Sequence, residues 1–379
     1  MAKAKDTTVV LVLQGGGALG AYHVGAYEAM HEAGFAPDWV SGTSIGAITS
    51  AVVVGNRPED RLDKLDQLWQ EISRPDTWVP WLPEPLLRAF NTGSAMGALL
   101  FGQPNFFTPN VPNPFFSLAG SPTATAFYDT SPMLATLLRL CDFDLINSGT
   151  TRISLGATNV RSGELMYFDN VNPKRTIGPE HVLASGSLPP GFPATEVDGE
   201  FYWDGGCISN TPLHAVLHDP PPKHTLVFMI DLWGAAGELP TTLDEVIWRQ
   251  KQIQYASRTE HHIQTVAARL NLRRNLAKLQ ALMPKEALAD PAVQDATALG
   301  YDGDMDIVHI QYVPTPDQVS SSDAEFSRSS IARRSEAGYE DMKRALEQAP
   351  WTTKERPQGI AAVVHTYQAG GVRVHTPRT

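Results

Sequence analysis

Three short stretches of this chain carry residue types suited to nucleophilic chemistry. The first runs from Trp39 to Gly55, where Gly42-Thr43-Ser44-Ile45-Gly46 sets a serine between two glycines in the G-x-S-x-G pattern of a nucleophile elbow. A serine on a sharp strand-to-helix turn needs small neighbours, because the backbone there is strained and crowded. The helix that follows points its first amides and positive dipole end at the serine oxygen and at any anion formed beside it. Alone, the pattern also fits an ordinary joint with a solvent-facing serine. The second stretch is Gln14, Gly15, Gly16, Gly17, Ala18, Leu19, Gly20. Adjacent glycines leave backbone N–H groups free to face an anion, as a nest or oxyanion hole. The third is Asp204-Gly205-Gly206, after Glu200 to Trp203. This places a carboxylate at a strand end, beside glycines that let another backbone come close.

The elements around these residues follow from apolar runs and breakers. Val9 to Leu13 reads as a buried strand leading into the glycine loop, and Gly20 to Ala33 as a helix lined with small residues that lies close to a sheet. Asp38 to Thr43 is a second strand ending at Ser44. Ile45 to Val54, apolar on nearly every side, is a central helix. Arg61 to Ile72 is an amphipathic helix with Leu62, Leu65, Leu68 and Trp69 on one face. Residues 75–128 are rich in aromatics and prolines and show no sustained period. They read as a loop-rich cap, with a lipid-facing lid as the sharper reading. Ser131 to Leu140 is helical; Thr151 to Asn159 and Leu165 to Phe168 are strands joined by a turn at Arg161-Ser162-Gly163. His181 to Ser187 is a short helix, stopped by the proline-rich run from Leu188 to Pro193. Thr225 to Leu232 is another buried strand. Beyond it come a helical pattern from Leu243 to Met283, a strand from Met305 to Tyr312, a polar helix from Asp323 to Gln348 and a hairpin from Ile360 to His375 turning at Ala369-Gly370-Gly371. The polar helix carries Arg328, Arg333 and Arg334, read as a solvated face, with head-group binding as the alternative.

GGGALG, GTSIG and DGG, in this order over residues 8–232, resemble the patatin-like phospholipase family, in particular bacterial members with a C-terminal extension. By that resemblance Gly15, Gly16 and Gly17 match the oxyanion loop, Ser44 the nucleophile and Asp204 the base of a Ser–Asp dyad that uses no histidine. Two positions depart from the family pattern: Gln14 stands where an Asp is common, and Leu19 where Arg or Lys is common. The fold expected is an α/β domain, a mostly parallel sheet with helices on both faces, plus a helical C-terminal extension. The domain would span 1–235 with the cap at about 75–128, and the extension 236–379.

Bulk properties narrow the field. The chain has 379 residues, 42% hydrophobic and 19% charged, enough for a sizeable core. A formal net charge of −11 argues against a general nucleic-acid binder and against docking on anionic membranes by bulk charge. Cys141 and Cys207 make no disulfide framework and fit a reducing compartment; Cys207 reads as a small core residue. Lys3 and Lys5 precede an apolar run too short for a signal peptide. No stretch reaches the length of a membrane span. The expectation is a cytoplasmic protein, with any membrane contact peripheral at the inner membrane surface and a homo-oligomer left open.

His261 and His262 are adjacent and would point about 100° apart on a helix, so they make a poor metal site. A Ser–His–Asp triad through His181, His214 or His218 is the chief mechanistic rival, although Ser44 follows fewer strands than an α/β-hydrolase elbow does. A dinucleotide-binding loop at Gly15 to Gly20 would need an acidic residue ending the second strand, where the serine stands instead. The reading is hydrolysis of an acyl ester, of a phospholipid, lysophospholipid or other lipid, with no metal or organic cofactor. Asp204, at an ordinary pKa of about 3.9, would be ionised at neutral pH. The alternatives are a thioesterase or short-chain polyester hydrolase on the same dyad, and a non-catalytic lipid-binding module.

Overall fold

The computed structural model describes residues 7–76, 82–221, 224–256, 259–352, 356, 359–368 and 371–375. Lys3, Lys5, Trp78, Trp81, the turn residues Ala369 and Gly370, and the side chains of His261 and His262 lie outside the described residues.

The strands are β1 (Thr8–Leu13), β2 (Trp39–Thr43), β3 (Arg152–Asn159), β4 (Leu165–Asp169), β5 (Thr195–Val197), β6 (Glu200–Asp204), β7 (Thr225–Asp231), β8 (Met305–Gln311), β9 (Ala362–Gln368) and β10 (Gly371–His375). They form one sheet in the order β10-β9-β8-β7-β1-β2-β3-β6-β5, with β4 also on β3. From β9 to β3 every neighbour is parallel; β10, β4, β6 and β5 pair antiparallel at the margins. β1 and β7 are apolar runs because both of their faces are covered. Alternate residues split between two cores. Val9, Leu11 and Leu13 face one side, with Tyr22 and Ile45. Val10 and Val12 face the other, with Val216 and Leu270.

The principal helices are α1 (Ala21–Glu32), α2 (Ile45–Val54), α3 (Arg61–Glu71), α4 (Glu84–Phe101), α5 (Ser131–Leu140), α6 (Pro179–Gly186), α7 (Leu243–Ala256), α8 (Thr259–Leu282) and α9 (Arg328–Gln348). The mostly parallel sheet between helical layers is the expected architecture, and the C-terminal part is helical as expected. It also supplies β8, β9 and β10 to the same sheet, which therefore continues past residue 235.

The cap differs from the sequence reading in two ways. Residues 84–101 are not a loop but the 18-residue helix α4. Its aromatics do not all face outward, as a lipid-facing lid would have them: Phe106 and Phe107 are buried, and both pack on Phe192, with Phe107 also on Tyr128 and Phe106 on Phe326. The apolar surface of the cap lies instead at Leu100, Phe101, Val111, Phe115, Phe116 and Leu118, all more than half exposed.

Two further corrections concern single residues. Arg334 is not on a solvated face. It is 3% exposed, donates to the carbonyls of Ala18, Glu325 and Ser322, and pairs with the Glu325 carboxylate at 3.8 Å. Arg328 donates to the Ser73 hydroxyl and Arg333 pairs with Asp317, so all three arginines are engaged within the chain. Cys207 is exposed in the turn after Asp204 rather than a core residue. Partial burial and the Asp204 carboxylate push its thiol up to about 11, so it stays protonated at neutral pH.

Candidate active site

β2 ends at Thr43 and α2 begins at Ile45, leaving Ser44 alone in the turn at φ 59°, ψ −126°. A residue with a Cβ rarely adopts such a backbone unless its surroundings over-determine it. They do so here. A Cβ on Gly42 would lie 2.3 Å from the Gly46 carbonyl oxygen, and one on Gly46 would lie 2.3 Å from that of Leu13. Only glycines let β1, β2 and α2 approach this closely. The Ser44 N–H donates to both the carbonyl and the hydroxyl oxygen of Ser185 at 3.1 Å, and the Ser185 hydroxyl donates to the Gly156 carbonyl at 2.6 Å. The N-terminal amides of α2 point back at the same turn.

The sheet delivers Asp204 to this serine. A strand has two edges. β4 lies along β3 at Ser154 to Thr158, so β2, at Arg152 to Gly156, and β6, at Ala157 to Asn159, must share the other edge. β6 thus continues the line that β2 leaves at the elbow, and its last residue, opposite Ala157, is Asp204. The Asp204 N–H donates to the Ser187 carbonyl at 2.9 Å, which ties it to the start of the proline-rich run. Its Oδ1 accepts from the Gly206 N–H at 2.7 Å. Its Oδ2 is buried, and the Ser44 hydroxyl is the group that can donate to the carboxylate from the elbow side. Burial pushes the carboxyl up to about 7; the Gly206 amide and the Ser44 hydroxyl favour the charged form without cancelling that cost. The ordinary aspartate value therefore does not hold at this site.

The glycine loop is clamped on one side and open on the other. The Gly15 N–H donates to the Asn210 carbonyl at 3.2 Å, and its own carbonyl accepts from Asn210 Nδ2 and Trp233 Nε1, each at 2.9 Å. Gly15 is thus a structural anchor. Among the described residues the amides of Gly16 and Gly17 have no partner. Gln14, fully buried, holds the base of the loop. Its Oε1 accepts from the N–H groups of Leu232 (2.6 Å) and Trp233 (3.0 Å), and its Nε2 donates to the Thr211 hydroxyl (2.9 Å). An amide can both donate and accept, which a carboxylate in that position could not do.

Ser44, Gly15, Gly16, Gly17 and Asp204 all line one cavity of about 270 Å³. Its remaining wall is mainly apolar, with Ile45, Ile48, Leu99, Phe106, Phe107 and Phe326 among the contributors. Residues 188–192 of the proline-rich run line it too; the contact to Asp204 is made by Ser187, the residue before that run. No histidine is among the described residues that line it. His214 stacks on Tyr167, His218 lies beside His214, and His181 Nδ1 accepts from the Gly178 N–H. Three contributors carried no local sequence signal: Ser185, Asn210 and Trp233 act through partners far away in the chain.

Residues 11–217 match the family described as patatin-like phospholipase, and residues 253–358 match a second family described as patatin phospholipase. A stretch of 62 residues is 42% identical to patatin-like phospholipase domain-containing protein 6 of Mus musculus, covering 16% of this chain and 5% of that protein. A stretch of 110 residues is 34% identical to triacylglycerol lipase ptl3 of Schizosaccharomyces pombe, covering 29% of this chain and 17% of that protein. The solved structure of VipD from Legionella pneumophila aligns over 91% of this chain and 67% of its own, at 17% identity and a TM-score of 0.37. The matches thus span a small part of the curated relatives' length. A strand–serine–helix elbow facing a glycine loop on a mostly parallel sheet defines the class as an α/β protein. The chain belongs to the patatin-like phospholipase family.

Proposed function

We propose that this protein is a serine acyl hydrolase of lipid esters that works through a Ser44–Asp204 dyad. The observation that carries the reading is the convergence, in one apolar cavity, of a strained serine, a buried carboxylate that its hydroxyl faces and two unpartnered glycine amides. Asp204, as the carboxylate, takes the Ser44 Oγ proton as Oγ bonds to the ester carbonyl carbon. The negative charge that develops on the carbonyl oxygen is received by the Gly16 and Gly17 amides and the N-terminus of α2. The bond to the alcohol then breaks, the alcohol leaves with the proton held by Asp204, and the acyl group stays on Oγ. Water, giving its proton to Asp204, attacks the acyl carbon. The fatty acid departs and the proton returns to Oγ.

Burial raises the carboxyl to about 7, near neutral pH, where proton acceptance and correct ionisation are well balanced. No imidazole is required in this scheme. Any contact with membrane is peripheral, through the exposed apolar face of the cap; among the described residues no helix is long and apolar enough to cross a membrane.

The experiment is labelling with a fluorophosphonate, mapping of the modified residue, and turnover of a soluble chromogenic ester. Modification at Ser44 with turnover supports the proposal. Turnover with the label elsewhere rejects the dyad. Absence of both leaves a lipid-binding module on this fold. Turnover of acyl thioesters or short polyesters in preference to lipid esters would favour a different acyl-transfer enzyme on the same dyad.

A further inference from the structure

The cavity has an electrostatic gap. The charged side chains among its described lining residues are Asp204 and Asp323; no lysine or arginine lines it. The nearby cations are already engaged. Lys251 Nζ lies 2.7 and 2.8 Å from the two carboxylate oxygens of Asp323, leaving the lysine charge spent on a residue of the cavity wall. Arg334, behind the glycine loop, is buried against Glu325 and three carbonyls. Within the loop Leu19 is apolar and fully buried. The approach is equally bare: from Ala89 to Tyr128 there is no Asp, Glu, Lys, Arg or His, and Leu99, Phe106, Phe107 and Tyr128 from this stretch line the cavity.

An ion moved from water into an apolar cavity needs a countercharge or several donors. A phosphodiester next to the scissile ester would find neither. Of the donors that line the cavity, the Gly16 and Gly17 amides receive the carbonyl oxygen in the proposed mechanism, and the Tyr255 hydroxyl is a single neutral donor. We infer that the ester this site hydrolyses is uncharged near the scissile bond, as in a mono- or diacylglycerol or another neutral fatty-acyl ester, and that the Lys251–Asp323 pair sets this preference by withholding the lysine charge from substrate. The inference rests on the acyl-hydrolase reading above and narrows its substrate class.

Two substrates with identical acyl chains, a diacylglycerol and the corresponding phosphatidylglycerol, would be presented at equal mole fraction in the same neutral detergent micelles. A soluble chromogenic ester serves as a separate control for the acyl-hydrolase reading. The expected kcat/KM ratio favours diacylglycerol by about tenfold or more, the scale at which a pocket lacking a needed polar partner discriminates. Asp323→Asn frees Lys251 to meet a phosphate, so the phosphatidylglycerol-to-diacylglycerol ratio should rise several-fold. Adding Lys251→Met to that variant should return the ratio toward the wild-type value. Equal or better turnover of phosphatidylglycerol by the wild-type protein overturns the inference, with no variant needed. An unchanged ratio in a folded Asp323→Asn protein overturns the role of the pair. Failure on the chromogenic ester as well would instead reject the acyl-hydrolase reading.

Discussion

Asp204 is the residue whose environment departs furthest from its sequence expectation. An aspartate of ordinary pKa would leave activity flat from pH 5 upward. With the carboxyl raised to about 7 by burial, the base is half protonated at neutrality. On a soluble ester, kcat/KM should fall about tenfold per unit as pH drops below that value and level off above it; a flat profile from pH 5 to 9 would remove Asp204 as the base. The same shift has a consequence for stability. The folded pKa lies above the unfolded value of about 3.9, so between the two the native state binds more protons than the unfolded chain. Stability is then greatest below about pH 4 as far as this group is concerned, and is lost as pH rises through about 7. Asp204→Asn should therefore raise stability by roughly 1 to 4 kcal/mol at pH 8 and have little effect at pH 4, by denaturant titration at both pH values. For catalysis, Ser44→Ala and Asp204→Asn should each abolish nearly all turnover, and the double mutant should be little worse, because the two act as one unit. Gly16→Val places a Cβ 2.7 Å from Leu232 Cδ1 and 3.2 Å from Trp233 Nε1, so the loop must shift. That shift should cost about 100- to 1,000-fold in kcat, the loss typical of one misplaced oxyanion donor, with circular dichroism to confirm folding.

At the scale of elements, what could be read from sequence followed the punctuation. β1 is an unbroken apolar run after Thr8, α2 is apolar but for Gly46, Thr49 and Ser50, β2 runs into the turn marked by Gly42 and Gly46, and the limits of all three match the expectation to within a residue or so. α4 was missed because its amphipathicity is inverted. Its buried positions are Asn91, Ala95 and Ala98, small or polar, while Leu86, Met96, Leu100 and Phe101 face outward. Asn91 Nδ2 donates to the carboxylate and the carbonyl of Asp317, 226 residues further on, which no local pattern could reveal. Glycines at 93 and 97 and a proline at 85 weaken the helix signal further. The exposed end of α4 continues into the rest of the cap: the Tyr128 hydroxyl donates to the Leu99 carbonyl, and Phe127, next to it, packs on Phe115. Exposed apolar patches of this extent mark contact surfaces. If the patch meets lipid, replacing Phe101, Phe115 and Phe116 by serine should weaken binding to neutral phosphatidylcholine vesicles, yet spare turnover of the soluble ester. Each fully inserted aromatic is worth about 1.5 to 3 kcal/mol. Phe107→Ser, by contrast, should cost stability and both activities, because its ring is buried in the core. Equal loss of vesicle binding and soluble-ester turnover in the triple variant would make the patch ordinary packing.

At the scale of the molecule, the expected boundary at residue 235 does not correspond to a break in the sheet. β8 pairs with β7 along its whole length, and α9 lies against α1, the helix that leaves the glycine loop. The contact is backbone to backbone. A Cβ on Gly25 would fall 1.8 Å from the Ser335 carbonyl oxygen, and one on Gly338 would fall 2.0 Å from that of Tyr22. Arg334, one turn earlier on α9, reaches the Ala18 carbonyl inside the loop's 3₁₀ turn. Neither glycine reads from sequence as more than a small residue on a helix, since the partner that makes it necessary is some 300 residues away. We infer that residues 236–379 do not fold as a separable extension and that they brace the glycine loop. A chain ending at 235 would expose the β7 edge and the face of α1 that now meets α9, and an uncovered apolar edge strand favours aggregation. Expressed alone, 1–235 should be aggregated or molten, shown by size-exclusion chromatography and loss of near-ultraviolet dichroism. Gly338→Val in the full chain should destabilise by roughly 2 to 4 kcal/mol, the range for overpacking and backbone strain at a close contact. Because α9 also supports the loop through Arg334, the residual folded fraction should hydrolyse the soluble ester more slowly than wild type. A monomeric, cooperatively folded and active 1–235 fragment would show instead that the catalytic unit stands without its C-terminal part.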